Sequence, residues 1–229
     1  MSASFGETVV KRRTSAEDVF RTLRSDIVAM RLTPDTKLSE VEIAKRCNVS
    51  RQPVREAFMR LGELNLLQIV PQKATRVRRI SLEELEDSRF VRAALEVEVV
   101  RHACIHGDEA AFAEIEGNLQ LQAAAVEECD AALLHGLDYQ FHRLICVAAR
   151  KPSAFKAISE YKAHTNRVCT LELRDAAGME EVLSGHGAMF DAIKRGHIDD
   201  AVAATRLHLS HLDATIEQVR GQYPHYFED

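Results

Sequence analysis

Four polar residues in the second half of the chain stand on faces that are otherwise apolar. Asp138 and His142 are four residues apart, on the flank of an apolar stripe, which places a carboxylate and an imidazole side by side on one helix. His186 lies within the apolar stripe of a later segment, and His208 lies beside another. Because a buried imidazole without a partner is costly, convergence of these four side chains on a divalent metal ion would satisfy all of them.

Spacing alone leaves alternatives to this metal site open. A single histidine in a helical core is more often hydrogen-bonded to the backbone than bound to metal. His211, three residues after His208, competes for the last ligand position. None of the ten histidines precedes His102, so imidazole chemistry is confined to the second half.

A second group of residues has the chemistry of DNA recognition. Ser50 stands before a segment of helical spacing, where the helix N-terminus favours a phosphate. Arg51 and Arg55 share one face of that segment, and a guanidinium can bind guanine O6 and N7 together. The alternative is that these arginines belong to a solvated helix face. Further positive charge near a following hairpin comes from Lys73, Arg76, Arg78 and Arg79.

The elements around these arginines follow the order of a winged helix-turn-helix. A helix is predicted over Thr14–Arg31, a short helix capped by Ser39 runs through Cys47, Asn48-Val49 forms a tight turn, and a third helix capped by Ser50 reaches about Leu66. Two β-like runs, Leu67–Val70 and Thr75–Ile80, complete the wing. Helix, short helix, turn, helix and hairpin is the order of that DNA-binding fold.

The rest of the chain is predicted to be an antiparallel helical bundle. Ser81 and Glu84 form a capping box, and six helical stretches follow, near residues 82–105, 109–128, 130–149, 153–174, 178–195 and 198–220. The fold class is therefore mainly α, with a small β-wing near the N-terminus. The predicted organisation is a tail over 1–13, a winged helix-turn-helix over 14–80, and an all-helical ligand-binding and dimerisation domain over 81–229.

Charge and composition fit a regulator with a polyanionic partner. The 229-residue chain has a net charge of −5, but residues 1–80 carry 16 Lys and Arg against 9 Asp and Glu, and the remainder carries 14 against 26. A basic front half suggests a polyanion there, although such charges also decorate solvated faces. The absence of a long apolar run or signal-peptide core predicts a cytoplasmic protein. Five cysteines without a CxxC pair are expected to be reduced packing residues.

The segment Leu38–Leu64 resembles the winged helix-turn-helix of the GntR family. The resemblance is carried by Val49-Ser50-Arg51-Gln52-Pro53-Val54-Arg55-Glu56-Ala57. It implies that the DNA-contacting residues are Ser50, Arg51, Gln52, Arg55 and, at the wing tip, Lys73 and Ala74. Val41 stands where many members have arginine, and Ala74 stands where most have glycine.

Residues from about Leu82 to Tyr223 resemble the FCD ligand-binding domain of a large GntR subfamily, with the first helix matching at Phe90–Glu96. The resemblance implies a metal site made of Asp138, His142, His186 and His208. It also implies zinc as the metal, with nickel or another transition metal as alternatives, and a small, carboxylate-bearing effector. Arg92 is the first candidate to pair the effector's anionic group, or else it pairs with Glu96. Arg89 and Arg143 are further candidates, and six helices imply the smaller variant of the domain.

These observations predict a sequence-specific transcriptional regulator rather than an enzyme; the family resemblance implies repression, and the residues themselves leave repressor and activator open. The protein is expected to bind double-stranded operator DNA as a homodimer, with an effector that alters operator affinity. Two alternatives remain open: a DNA-binding protein whose metal is purely structural, and a metal-dependent hydrolase. A hydrolase would need an acid/base residue, and neither Glu96 nor Glu98 is singled out by the sequence.

Overall fold

The computed structural model describes residues 15–70, 74–172, 176–210 and 212–228. Lys73 and His211 therefore lie outside the described residues. The N-terminal elements are α1 (Ser15–Val28), β1 (Lys37–Leu38), α2 (Glu40–Cys47), α3 (Arg51–Glu63), β2 (Leu67–Gln68) and β3 (Thr75–Val77). They form the predicted helix-turn-helix with a small wing.

Local capping explains where α2 begins and ends. The Ser39 hydroxyl accepts a hydrogen bond from the Glu42 backbone N–H at 3.5 Å. Asn48 closes the helix in the left-handed conformation, with φ of 52°, which asparagine tolerates well. Ser50 occupies the N-cap position of α3 in extended conformation, but its hydroxyl makes no capping hydrogen bond. The prediction that Ser50 is the N-cap residue of α3 is therefore confirmed, although without a side-chain hydrogen bond, and α3 ends at Glu63 rather than near Leu66.

The wing contains a strand that the sequence did not reveal. The sheet order is β1-β3-β2, with both pairs antiparallel, and Leu67 pairs with Val77 while Leu38 pairs with Thr75. At two residues, β1 is too short for alternating polarity to be recognised. Leu38, Leu67 and Val77 are buried and extend the helical core onto the sheet.

Seven helices follow among the described residues. They are α4 (Leu82–His106), α5 (Glu109–Glu127), α6 (Ala131–Ala148), α7 (Ala154–Glu172), α8 (Ala176–Lys194), α9 (Ile198–Ser210) and α10 (Leu212–Gln222), and a 3-10 turn spans Pro224–Tyr226. The prediction of six helices, with one over 198–220, is wrong. Helix α9 packs on α4 and α8, whereas α10 packs on α7. The apolar residues of segment 198–220, which look like one stripe in the sequence, therefore belong to two different hydrophobic clusters. Spacing cannot separate two successive helices that share a stripe.

The bundle core lies between α4, α5, α6, α8 and α9. Its largest buried members include Phe141, Ile145, Met189 and Phe190. The five cysteines all lie in the described part of the chain and are free, and Cys129 is exposed, so the prediction that it is a packing residue is wrong. No helix among the described residues is long and apolar enough to span a membrane.

The two halves of the chain meet along α7. Ala163 is buried in the same cluster as the core residues of the helix-turn-helix. Thr170 Oγ1 donates a hydrogen bond to the Val28 carbonyl at 3.0 Å, and Arg167 Nη2 donates to the Arg78 carbonyl at 2.6 Å. One helix of the bundle therefore forms part of the support of the DNA-binding half.

Arg78 belongs to this junction and not to the wing surface. Its guanidinium pairs with Glu84 at 2.6 Å and with Glu228 at 3.0 Å. The prediction that Arg78 adds positive charge beside the DNA is therefore wrong, because two carboxylates of the helical half neutralise its guanidinium. Ser81 caps α4 by accepting from the Glu84 N–H at 3.3 Å, but the Glu84 carboxylate is turned to Arg78.

The C-terminal segment fastens the same junction. Phe227 forms a parallel bridge with Ile80, the Ile80 N–H donates to the Tyr226 carbonyl at 2.8 Å, and the Glu228 N–H donates to the Ile80 carbonyl at 2.9 Å. The aromatic C-terminus therefore packs on its own chain, where the linker leaves the wing.

A pH-dependent stability is expected from His164 at this junction. Burial, reinforced by the charge of Arg167, lowers the pKa of His164 to about 4. Between pH 6.5 and about 4, His164 is protonated in the unfolded chain but not in the folded chain. As the pH is lowered through this range, this group therefore lowers the free energy of unfolding by at most about 1.4 kcal/mol per pH unit. Urea unfolding of wild type and His164→Gln from pH 7.5 to 4.5 checks this. The wild type should lose stability more steeply below pH 6.5, and parallel profiles would contradict the assignment.

Candidate metal centre and nucleic-acid interface

The four side chains predicted to bind metal converge in the bundle. Asp138 and His142 project from α6, His186 projects from α8, and His208 projects from α9. One potential ligand atom from each lies within 4.8 Å of the other three, and the three imidazole centroids are 4.6–5.5 Å apart. Atoms bound to one zinc ion at 2.0–2.2 Å cannot be more than about 4.4 Å apart, so small inward rotations suffice to form a site.

His142 is oriented by a buried carboxylate on α4. Its Nδ1 lies 2.7 Å from Glu96 Oε2, and Arg92 binds the other oxygen of Glu96 at 2.8 Å. Burial by itself would raise the pKa of Glu96, but Arg92 and His142 bring it below its ordinary value. Because the carboxylate is ionised, Nδ1 of a neutral His142 carries the proton, and the lone pair of Nε2 faces the cluster.

His186 is oriented by a chain of amides on α5. Asn118 Nδ2 donates to the Leu137 carbonyl at 3.2 Å, and Gln122 Nε2 donates to Asn118 Oδ1 at 2.7 Å. These bonds turn Gln122 Oε1 toward His186 Nδ1, 2.8 Å away. An amide oxygen can only accept, so Nδ1 of His186 donates and its Nε2 also presents a lone pair.

The two Nε2 atoms meet a negative charge with no proton between them. Each lies 3.5 Å from Asp138 Oδ1, and both are buried without a hydrogen-bond partner. Burial would raise the pKa of Asp138, but the positive charge of Lys162 holds it well below its usual range. Two lone pairs and a carboxylate facing one another repel unless a cation lies among them. These residues therefore fit a divalent metal ion.

His208 completes the cluster because α8 has no side chain in its way. A Cβ added to Gly185 would lie 3.0 Å from His208 Nδ1. Burial and the positive charge of Lys162 lower the pKa of His208 to about 3, and burial also lowers that of His186. Both imidazoles are therefore neutral at pH 7, which is the form that binds metal.

A small cavity of about 70 Å³ adjoins the cluster. It is lined by polar residues of six helices, among them Arg92, Asp138, Lys162 and His208, and by apolar residues such as Leu134. Arg92 pairs with Glu96, which is one of the two roles considered for it, and it also lines this cavity, where its role toward an effector stays a prediction. Arg92 Nη1 also donates to Thr165 Oγ1 at 3.0 Å.

The other two candidate arginines are placed elsewhere. Arg89 lines a separate surface groove beside Phe90 and Arg206, and Arg143 is exposed on α6. The structure does not bring either of them to the cavity.

Sequence reasoning missed the residues that hold the ligands in place. Gln122 and Asn118 stand at three-and-four spacing with the buried residues Ile115 and Ala125. Two amides within an apolar stripe could therefore have indicated a buried polar network. Lys162 gave no such signal, because a lysine on an amphipathic helix usually lies in solvent.

The two arginines predicted to contact DNA are held by a carboxylate that the sequence did not single out. Glu40, the first residue of α2, accepts from Arg51 Nη2 at 2.7 Å and from Arg55 Nε at 3.0 Å. Hydrogen bonding to Arg51 is the largest influence on the Glu40 carboxyl and lowers its pKa. Both guanidinium groups are about half exposed, so Glu40 fixes their direction while leaving them accessible.

The remaining predicted DNA contacts are also on the surface. Gln52 is exposed and its amide donates to Glu56 at 3.2 Å, and Ala74 is exposed before β3. Val41, at the position where an arginine was expected by resemblance, is 59% exposed. The exposed face of α3 thus presents Ser50, Arg51, Gln52 and Arg55 together, while Val54, Ala57, Phe58 and Leu61 are buried on the other side.

Comparisons with known proteins agree with this architecture. Residues 15–77 match the family of bacterial regulatory proteins called the gntR family, and residues 87–211 match the FCD domain. The chain is 34% identical over 213 residues to the HTH-type transcriptional repressor RspR of Escherichia coli K12, covering 93% of each protein. It is 27% identical to a probable D-xylose utilization operon transcriptional repressor of Paenarthrobacter nicotinovorans, covering 89% of this chain and 90% of that protein.

A solved structure shares the fold. Escherichia coli McbR/YncC superposes with a TM-score of 0.80 at 20% identity, covering 92% of this chain and 99% of that one. The protein defined by this fold and these matches is a transcriptional regulator. The chain belongs to the GntR family, in the group whose helical half is an FCD domain.

Proposed function

We propose that this regulator binds operator DNA through α3 and the wing, and that a zinc-like ion and a small carboxylate bound in the bundle alter its operator affinity. The observation that carries the sensing half is the pair of buried, unpartnered Nε2 atoms of His142 and His186 facing Asp138. Asp138, His142, His186 and His208 would hold the ion, which would supply a Lewis-acidic centre for an anionic ligand. Arg92 is positioned to bind the same anion.

In the DNA half, we infer that Ser50, Arg51, Gln52 and Arg55 contact the major groove, and that Lys73 and Ala74 contact the DNA backbone. One recognition helix contacts few base pairs, so a homodimer would place two of them about one helical turn apart on a near-palindromic operator. The effector acts because it binds one arrangement of the two halves better than another. Repression is supported by the names of relatives, RspR among them.

The adjoining cavity favours sensing over a purely structural metal. A structural site is closed by four protein ligands in a packed core, whereas here about 70 Å³ of space lined by Arg92 and Lys162 lies beside the ligands. Hydrolysis would need a residue to move protons near that space. Glu96 does not serve, because both of its oxygens are bound, by Arg92 and His142.

The metal content of the protein tests this proposal. After reloading with zinc and dialysis, the wild type should retain about one ion per chain, as a site with four protein ligands requires. His186→Ala should retain none, because it removes a ligand from the centre of the cluster. His197→Ala, which removes a half-exposed histidine beyond the end of α8, is the matched control and should behave as the wild type. Equal zinc in His186→Ala, or a wild type that takes up no transition metal, would refute the proposed centre.

A further inference from the structure

A buried lysine occupies the edge of the candidate metal centre. Lys162, on α7, is 4% exposed, and its Nζ lies 2.9 Å from Asp138 Oδ2 and 3.2 Å from Asp138 Oδ1. An ammonium group is rarely buried without a strong reason, since its hydration is lost. Here it bridges both oxygens of a residue that would bind the ion.

The same ammonium group also faces the cavity. Lys162 lines the space of about 70 Å³ together with Arg92 and Asn166. The side chain therefore has a carboxylate on one side and a small cavity on the other. A cation at this place repels a metal ion and attracts an anion.

Resting on the proposed function, we propose that Lys162 is the second anion anchor of this site: it neutralises Asp138 in the metal-free protein and turns to the ligand when metal binds. The ligand class that fits is a short dicarboxylate. Metal and ligand then bind cooperatively, because each removes an obstacle to the other.

The charge of the buried side chains predicts that the ligand carries two negative charges. The buried charged side chains at the cluster and its cavity are Asp138, Glu96, Arg92 and Lys162, and their charges sum to zero. A divalent ion adds two positive charges to this buried set, and a dianion restores neutrality. Glu181, at the rim of the cavity, is exposed, so water screens its charge.

Size limits the length of that dicarboxylate. At roughly 10–15 Å³ of cavity volume for each water, a cavity of about 70 Å³ holds about five to seven water molecules. That is room for a three- or four-carbon acid, and sugars or nucleotides are too large. Arg92 and Lys162 offer one cationic group for each carboxylate.

Zinc affinity, measured by competition with a chromophoric chelator, tests the first step. Lys162→Met keeps the length and removes the charge, so zinc affinity should rise on the order of tenfold or more when the competing cation is gone. Lys156→Met, an exposed lysine on the same helix, should leave it unchanged. Weaker zinc binding by Lys162→Met would mean that the lysine merely positions Asp138, which would overturn the proposal.

Succinate and butyrate, which share a four-carbon chain, test the second step. In the zinc-loaded wild type, succinate should raise the melting temperature more than butyrate at equal ionic strength, and Lys162→Met should lose that difference. Equal stabilisation by the two acids, or by neither, would overturn the dianion assignment. A wild type that binds no zinc would instead refute the metal centre itself, and the outcomes are therefore distinguishable.

Discussion

Arg55→Ala is expected to lower affinity for the operator by about 5- to 150-fold, because a bidentate arginine–guanine contact is worth about 1–3 kcal/mol of discrimination. Arg55 is half exposed on α3 and is aimed by Glu40, together with Arg51. The loss should be largest on a duplex that the wild type selects from a random-sequence pool. Fluorescence anisotropy at fixed salt, on the selected duplex and on a random one, measures both affinities.

Arg31→Ala is the matched control for that experiment. It removes the same charge from the same half of the chain. Arg31 is exposed, lies beyond the end of α1 and pairs with Asp26. Affinity should change little and similarly on both duplexes. If Arg55→Ala weakens the selected and random duplexes equally, Arg55 contacts phosphate instead of a base edge.

Arg167→Met is expected to lower the free energy of unfolding by about 3–5 kcal/mol, the usual cost of breaking a buried charged network. Arg167 is 1% exposed and is the largest fully buried side chain in the described part of the chain. Burial lowers its pKa to about 10, so it is still charged at neutral pH. Without it, the Arg78 carbonyl loses its donor and the carboxylates of Glu84 and Glu228 lose a cation.

Urea unfolding at pH 7.5 checks that expectation, with Arg220→Met as the control. Arg220 is exposed near the end of α10, and removing it should change stability by less than about 0.5 kcal/mol. A loss in Arg167→Met no larger than in the control would show that the junction does not depend on this arginine.

The sequence predicted the helix-turn-helix, and it predicted that Asp138 and His142 share one helix face, because both features depend on the spacing of residues within one segment. Arg51 and Arg55, like Asp138 and His142, are four residues apart, and helical geometry alone puts each pair on one face. The three helices that carry Asp138, His142, His186 and His208 could be assigned to the inner face of a bundle from their apolar stripes. That these residues meet at one point depended on the family resemblance, since spacing does not say which helices are neighbours.

The parts that could not be predicted depend on contacts between distant segments. Lys162 looks solvated until α7 is placed against Asp138, and Arg78 looks like a wing arginine until Glu84 and Glu228 are brought to it. Strand β1 is two residues long, and its conformation is fixed by pairing with β3. Glu40 follows the same rule, because its role is defined by two arginines on the next helix.

Helix α7 has a consequence for building chimeric regulators. Its residue Ala163 completes the hydrophobic core of the DNA-binding half, while Lys162, the preceding residue, touches Asp138 in the bundle. A graft of residues 15–77 onto a foreign helical half would leave that core with a gap where Ala163 now packs. The unit that can be exchanged between relatives is therefore discontinuous: it consists of the N-terminal segment and the outward face of one helix that lies about ninety positions further along the chain.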